Sequence, residues 1–259
     1  MLMSDTISNS LTAPALRRES VHVWCVALVP PSDVIVQLAA TLSDEERDRA
    51  DRFQFSHLRQ SFIAARGTLR LLLAQYLHME PGQIQFEYTP TGKPFLSRKT
   101  NIPNISFNLS HSNGLALYAI AKNRLIGIDI EYMRPIADFE QVSATTFSAF
   151  ENNQLQSIAD HHKTQAFFNC WTRKEAFIKA IGDGMSFPLD QFDVSLRPDE
   201  PARLLRISGS EEKARRWSMF GWQPAAEYVA ALVVEGADCS VMYREWNHHE
   251  GVRRVQELR

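Results

Sequence analysis

Cysteine is scarce, with three residues in a chain of 259, at Cys25, Cys170 and Cys239. An odd number without metal-ligand spacing excludes a disulfide framework and a zinc knuckle, and it suits a reducing, cytoplasmic compartment. A surplus of positive charge is missing as well: 28 Lys and Arg against 30 Asp and Glu give a formal net charge of −2. No global field draws the chain to nucleic acid, so an anionic ligand must be met by cations placed locally. Long apolar runs are absent. VWCVALV and YVAALVV have the length of strands, far short of the roughly 20 residues a helix needs to cross a bilayer. No membrane partner is expected. Residues 1–20 lack the unbroken apolar core of a signal peptide and read as a loose tail. There is no internal repeat, low-complexity tract or obvious linker.

What is present suffices for a substantial core: 44% of residues are hydrophobic and 22% charged, the range of ordinary globular proteins. HVWCVALV reads as a buried strand and PPSD as a turn. Ser43 with Glu46 three residues later forms a capping-box signal that predicts a helix start. SFIAARGTLRLLLAQYL repeats apolar residues at helical spacing through Phe62, Leu69, Leu73 and Leu77, and HMEPG ends it. Alternation then takes over in IQFEY and ISFNLSHS, where Ile105, Phe107 and Leu109 share a face. GLALYAIA and LIGIDIEY, joined by the short polar KNR, predict a hairpin. Helical character returns in TFSAFENNQLQSIA and TQAFFNCWTRKEAFIKAIG, which stops at Gly182 and Gly184. FDVSL and YVAALVV follow as strands. This order of elements gives an α+β class.

The chemistry gathers in two of these elements. In IGIDIEY a strand period of two puts Ile126, Ile128 and Ile130 on one face and Gly127, Asp129 and Glu131 on the other. The two carboxylates then stand about 7 Å apart along the strand, able to converge on one hard cation and repelling each other without it. Read alone, the pair describes first the solvent face of an edge strand, which often carries charges. In WTRKEAFIK, helical spacing aligns Trp171, Glu175, Ile178 and Lys179 in one stripe. The plain alternative there is a surface pair between Glu175 and Lys179, contributing about 0.3–0.5 kcal/mol. Set against Asp129 and Glu131, Glu175 adds a third oxygen ligand, with Lys174 and Lys179 as cations for a bridged phosphate. Ser110 and His111, leading to Asn113 and Gly114, offer a hydroxyl, an imidazole and backbone amides to an anion. TGKP reads as a turn with Lys93 exposed.

Taken in this order, TGKPFL, FNLSHS, IGIDIEY and WTRKEAFIK, from about Ser43 to Asp193, resemble the 4′-phosphopantetheinyl transferases of the surfactin-synthetase-activating type. The resemblance implies two similar α/β lobes related by pseudo-twofold symmetry, an N-terminal lobe over 21–123 and a C-terminal lobe over 124–259 carrying the metal site. The active site then lies in the cleft between them, in a monomer. It implies transfer of phosphopantetheine from coenzyme A to a serine of an apo acyl-, aryl- or peptidyl-carrier protein, releasing adenosine 3′,5′-bisphosphate, a holo-[acyl-carrier-protein] synthase type of activity.

By the same resemblance, Asp129, Glu131 and Glu175 hold Mg²⁺, with Mn²⁺ as an alternative, and Ser110 and His111 contact the coenzyme A phosphates. Lys93 borders the adenine nucleotide and Lys179 reaches the pyrophosphate. Charge neutralisation and alignment drive phosphoryl chemistry, so Glu175 is expected as the base, with Glu131 its competitor, and Lys179 as the stabiliser of the leaving group. One departure stands out: Glu46 sits where some members carry lysine, leaving Arg49 and Arg66 to meet the 3′-phosphate. Carrier docking is expected at 133–147.

Overall fold

The computed structural model describes residues 15–100, 104–136, 138–182, 184, 187–248 and 251–258. Residues 1–14 of the expected tail, and residue 137 of the expected docking segment, lie outside the described residues. In chain order the elements are β1 (Ser20–Ala27), α1 (Ser32–Ala40), α2 (Asp44–Asp51), α3 (Ser56–Leu77), β2 (Phe86–Tyr88), β3 (Pro94–Leu96), β4 (Ile105–Ser112), β5 (Leu115–Lys122), β6 (Ile126–Tyr132), α4 (Phe139–Thr146), α5 (Ala149–Gln156), α6 (Asp160–Ile181), β7 (Phe192–Val194), β8 (Leu204–Ile207), α7 (Glu211–Ala214), β9 (Trp217–Trp222), β10 (Tyr228–Glu235), β11 (Ser240–Asn247) and β12 (Gly251–Leu258). No helix among the described residues is long and apolar enough to cross a membrane.

The local signals act as expected at the helix ends. Ser43 Oγ accepts from Glu46 N at 3.3 Å while Glu46 Oε2 accepts from Ser43 N at 3.1 Å, so α2 begins in a reciprocal cap. α6 stops at Gly182, whose φ of 81° lies in the left-handed region that glycine adopts without strain.

Two sheets carry the fold, one of order β12-β11-β1-β5-β4 and one of order β6-β10-β9. Alternation along the strands sorts their side chains. From β1 and β5, Trp24, Tyr118 and Ile120 face α1 and α3, while Val21, Val23, Leu117 and Ala119 face Ile126, Ile128, Ile130 and Leu232 of the second sheet. The other side of that second sheet, through Val229, Ala231 and Val233, packs on Phe177 and Ala180 of α6. The order of layers is therefore helices, sheet, sheet, helices, a mixed α+β architecture.

One expectation is corrected here. β5 and β6 are not a hairpin: β5 is already paired on both edges, with β1 and β4, so the chain leaves it and β6 pairs antiparallel with β10 instead. In the same way β11 pairs in parallel with β1 and β12 extends that first sheet, so strands from late in the sequence complete the sheet that β1 begins. A strand pattern reports burial and carries no record of which distant edge it fills.

Gly127 explains how β6 comes close to α6. A Cβ there would sit 2.0 Å from Ala176 O and 2.3 Å from Ala180 N, with backbone rather than a movable side chain in the way. Gly127→Ala is expected to force the strand and helix apart. The cost should reach about 3 kcal/mol or more, the upper range for overpacking, read as a lower urea midpoint. An unchanged midpoint would contradict this account of the contact.

Candidate active site

The edge of β6 that faces away from β10 meets β4, and β4 answers it with polar side chains at every second residue. Asn108 Oδ1 accepts from Ile128 N at 2.8 Å, and Ser112 Oγ accepts from Tyr132 N at 3.1 Å. Between them Ser110 Oγ donates to Asp129 Oδ1 at 2.7 Å, and Ser112 Oγ donates to Glu131 Oε2 at 3.1 Å. The hydroxyls thus hold the two carboxylates that strand parity turns toward α6. Sequence reasoning singled out Ser110 but missed Asn108 and Ser112, whose signal was the same two-residue period in FNLSHS.

From α6, Lys179 Nζ donates to Asp129 Oδ1 at 2.6 Å and to Ser110 Oγ at 3.1 Å. Lys179 therefore pairs across the site, and the surface pair with Glu175 weighed above is not the one that forms. Glu175 lies one turn earlier on the same half-buried stripe. Burial, then the neighbouring Asp129, push the carboxyls of both Glu131 and Glu175 above the ordinary carboxylate range. Lys179 opposes both shifts, and the Ser112 hydroxyl opposes that of Glu131. His111 ends up at the exposed edge of β4. Partial desolvation and the nearby Lys179 lower its pKa, so the imidazole is neutral at neutral pH.

Among the described residues no three His, Cys, Asp or Glu side chains form a finished ligand set. Lys179 supplies the positive charge beside Asp129. The donors nevertheless suit a hard divalent cation, being all oxygen and mutually repulsive. Asp129 is 2% exposed, and its Oδ2 is buried without a hydrogen-bond partner. Such an oxygen is costly to leave unpaired and is a natural ligand atom.

Lys93 occupies a different place from the exposed turn position read from TGKP. Its ammonium reaches the carbonyls of Ile126, at 3.2 Å, and of Lys179. Thr91 Oγ1 donates to Gly182 O at 3.0 Å, so the β2–β3 loop sits on the carboxyl end of α6. Desolvation lowers the Lys93 pKa to about 8. Its side chain thus acts on the backbone of Lys179, whatever it also offers a nucleotide.

The same hairpin, through Phe86, Glu87 and Tyr88 of β2, also lines a cleft of about 1270 Å³ together with Arg49, Arg52, Arg66 and Arg70 among others. Arg49 and Arg66 are therefore brought together, although Asp129, Glu131 and Glu175 do not line this cleft. Glu46 is no isolated anion in it. Its carboxylate pairs with Arg70 at 2.6 Å and Arg66 at 3.4 Å, while also capping α2. Arg66 lies over the Phe86 ring, and its Nη1 is buried without a partner.

Lys174 is the site residue that the structure removes. It is 1% exposed and faces away from Glu175, with Nζ bonded to Glu151 Oε2 at 2.8 Å and to the carbonyls of Leu189 and Phe192 at 2.7 Å each. All three ammonium protons are used, so no phosphate can be held there. The residue follows Cys170 by four and precedes Phe177 by three, which places it on the buried stripe of α6; that spacing was the available signal.

Comparison with known proteins places the chain in a family. Residues 29–123 match the family model described as "4′-phosphopantetheinyl transferase, N-terminal", and residues 125–233 match that of the 4′-phosphopantetheinyl transferase superfamily. The 4′-phosphopantetheinyl transferase HetI of Nostoc sp. is 42% identical over 221 residues, covering 85% of this chain and 90% of that protein. A 4′-phosphopantetheinyl transferase of Bacillus subtilis is 32% identical over 163 residues, 63% of this chain and 70% of its own. The L-aminoadipate-semialdehyde dehydrogenase-phosphopantetheinyl transferase of Homo sapiens is 30% identical over 166 residues, 61% of this chain and 54% of that one. A relative this similar along nearly all of its length, with two family models following one another along the sequence, shows that the chain belongs to the 4′-phosphopantetheinyl transferase superfamily.

Proposed function

We propose that the protein transfers 4′-phosphopantetheine from coenzyme A to a serine hydroxyl of an apo acyl-, aryl- or peptidyl-carrier protein, releasing adenosine 3′,5′-bisphosphate, in the manner of a holo-[acyl-carrier-protein] synthase. The observation that carries the reading is the convergence of Asp129 and Glu131, held by Ser110 and Ser112, on the Lys179 side of α6. Asp129, Glu131 and Glu175 would hold Mg²⁺, which when bound neutralises pyrophosphate oxygens and favours attack at phosphorus.

The chain's own residues do the rest. Glu131 Oε2 is committed to the Ser112 hydroxyl, which supports Glu175 as the base. As the serine oxygen bonds to the pantetheine phosphorus, its proton passes to the Glu175 carboxylate, and the bond to the bisphosphate oxygen breaks. Lys179 exchanges Asp129 for the departing phosphate, a charge-assisted contact, and neutral His111 donates to the diphosphate. The Lys93 ammonium keeps the last turn of α6 in place for Lys179. The cleft lined by Arg49 and Arg66 takes the nucleotide and its 3′-phosphate, being larger than the roughly 300–1,000 Å³ of typical small-ligand sites. Carrier docking is assigned to residues 133–147, next to the Glu131 end of β6.

The test is incubation with coenzyme A, Mg²⁺ and several apo carrier proteins. A phosphopantetheine mass gain on the carrier is expected, and none on any carrier, or free phosphopantetheine released without one, would overturn the proposal.

A pH dependence follows from the raised carboxyls. Between the ordinary carboxylate range and their raised values, the folded metal-free protein binds more protons at Glu131 and Glu175 than the unfolded chain, so their contribution to stability declines as pH rises through that window. A cation must displace those protons. The rise in Tm on adding Mg²⁺ and coenzyme A should therefore be greater at about pH 7.5 than at about pH 5.5. A larger rise at the lower pH would contradict the site.

A further inference from the structure

We infer that Ser112 is the positioning residue for Glu131: its hydroxyl fixes one carboxylate oxygen and leaves the other for the divalent cation. The inference rests on the transferase reading above and adds to it a residue that acts on the cation through Glu131.

The geometry leaves Ser112 little freedom. Its Oγ accepts from Tyr132 N at 3.1 Å, so its single proton is left to donate to Glu131 Oε2, also at 3.1 Å. The backbone beneath it is fixed by the turn that follows. Ser112 pairs with Leu115 across a two-residue hairpin in which Asn113 and Gly114 have φ of 43° and 84°, the left-handed pair of a type I′ turn. Tyr228 Oη donates to Asn113 O at 2.7 Å and pins that turn to the second sheet. The offset of 19 residues from Ser112 to Glu131 is the same as from Ser110 to Asp129. The two hydroxyls of β4 therefore form a template in register with the two carboxylates of β6, and partners of this kind orient metal ligands.

The experiment compares the full-length protein with Ser112→Ala and Ser112→Thr, measuring Mn²⁺ affinity by electron paramagnetic resonance with coenzyme A present, and the Mg²⁺ dependence of carrier modification. Ser112→Ala should weaken Mn²⁺ binding and raise the half-saturating Mg²⁺ concentration by about 10–100-fold. The KM for coenzyme A at saturating Mg²⁺ should be little changed, and Ser112→Thr should restore both cation readouts. In a Glu131→Gln background, Ser112→Ala should add almost nothing. Wild-type Mn²⁺ affinity in Ser112→Ala, a threonine variant no better than alanine, or additive effects in the double variant would overturn the inference. Failure of the transferase reading looks different: the wild type would modify no carrier, while the Mn²⁺ comparison is read without any transfer.

Discussion

Asp129→Ala should abolish carrier modification, by more than about a hundredfold since partners one shell removed from a metal already contribute 10–100-fold, and leave cooperative unfolding nearly unchanged. The loss follows from its place. Asp129 meets Ser110 and Lys179 at once, and it keeps an unpaired oxygen in a buried setting. The retained stability follows from the same facts. Removing the residue deletes an unsatisfied buried oxygen and relieves the repulsion that raises the carboxyls of Glu131 and Glu175. Lys179 is not stranded, because its side chain is 28% exposed and can turn to solvent or to Glu175. Stability should shift by no more than about 1 kcal/mol, in contrast to the 3–5 kcal/mol of breaking a fully buried pair. Urea unfolding beside the carrier mass assay reads both quantities. Loss of the cooperative transition would contradict this description of the site.

Lys174→Ala should behave in the opposite way. Here both partners are sequestered, Lys174 at 1% and Glu151 at 0% side-chain exposure, so the substitution leaves a buried carboxylate without its counter-ion. The expected cost is about 3–5 kcal/mol, a large share of the 5–15 kcal/mol that holds a typical domain together. Among the described residues Lys174 is the only cation paired with Glu151, whose other bonds come from the backbone N–H groups of Ser148 and Val194 and from the Cys170 thiol. A phosphate contact at Lys174 would instead raise the Kd for coenzyme A at constant stability. The urea midpoint and calorimetric binding to the folded fraction separate the two. A normal midpoint with weakened coenzyme binding would restore Lys174 to the ligand site. Lys174→Met with Glu151→Gln should recover part of the loss, because no charge is then left buried and unpaired.

Much of the site was legible because it rests on local periods. Strand parity turned Asp129 and Glu131 together, helical spacing aligned Trp171, Glu175 and Lys179, and the Ser43–Glu46 cap marked a helix start. The unread parts depend on distant partners. KNR looks like a hairpin connection, yet β5 has no free edge for β6. Nothing in VMYREWN says that it will run parallel to β1. Lys174 looks like its neighbour Lys179 until Glu151 of α5 is set against it. SAFE, at Ser148–Glu151, is a capping box as plain as that at Ser43, and it supplies that partner. Glu46 resembles a lost cation, but in the fold it orders Arg66 and Arg70.

The most direct measurement is a crystal structure with Mn²⁺ and coenzyme A, the cation located by its anomalous scattering. The account predicts one strong peak within ligating distance, about 2.0–2.3 Å, of oxygens from Asp129, Glu131 and Glu175, with Lys179 moved from Asp129 toward the diphosphate. A peak elsewhere, or coenzyme A bound with Lys179 still on Asp129 and no cation beside it, would contradict it.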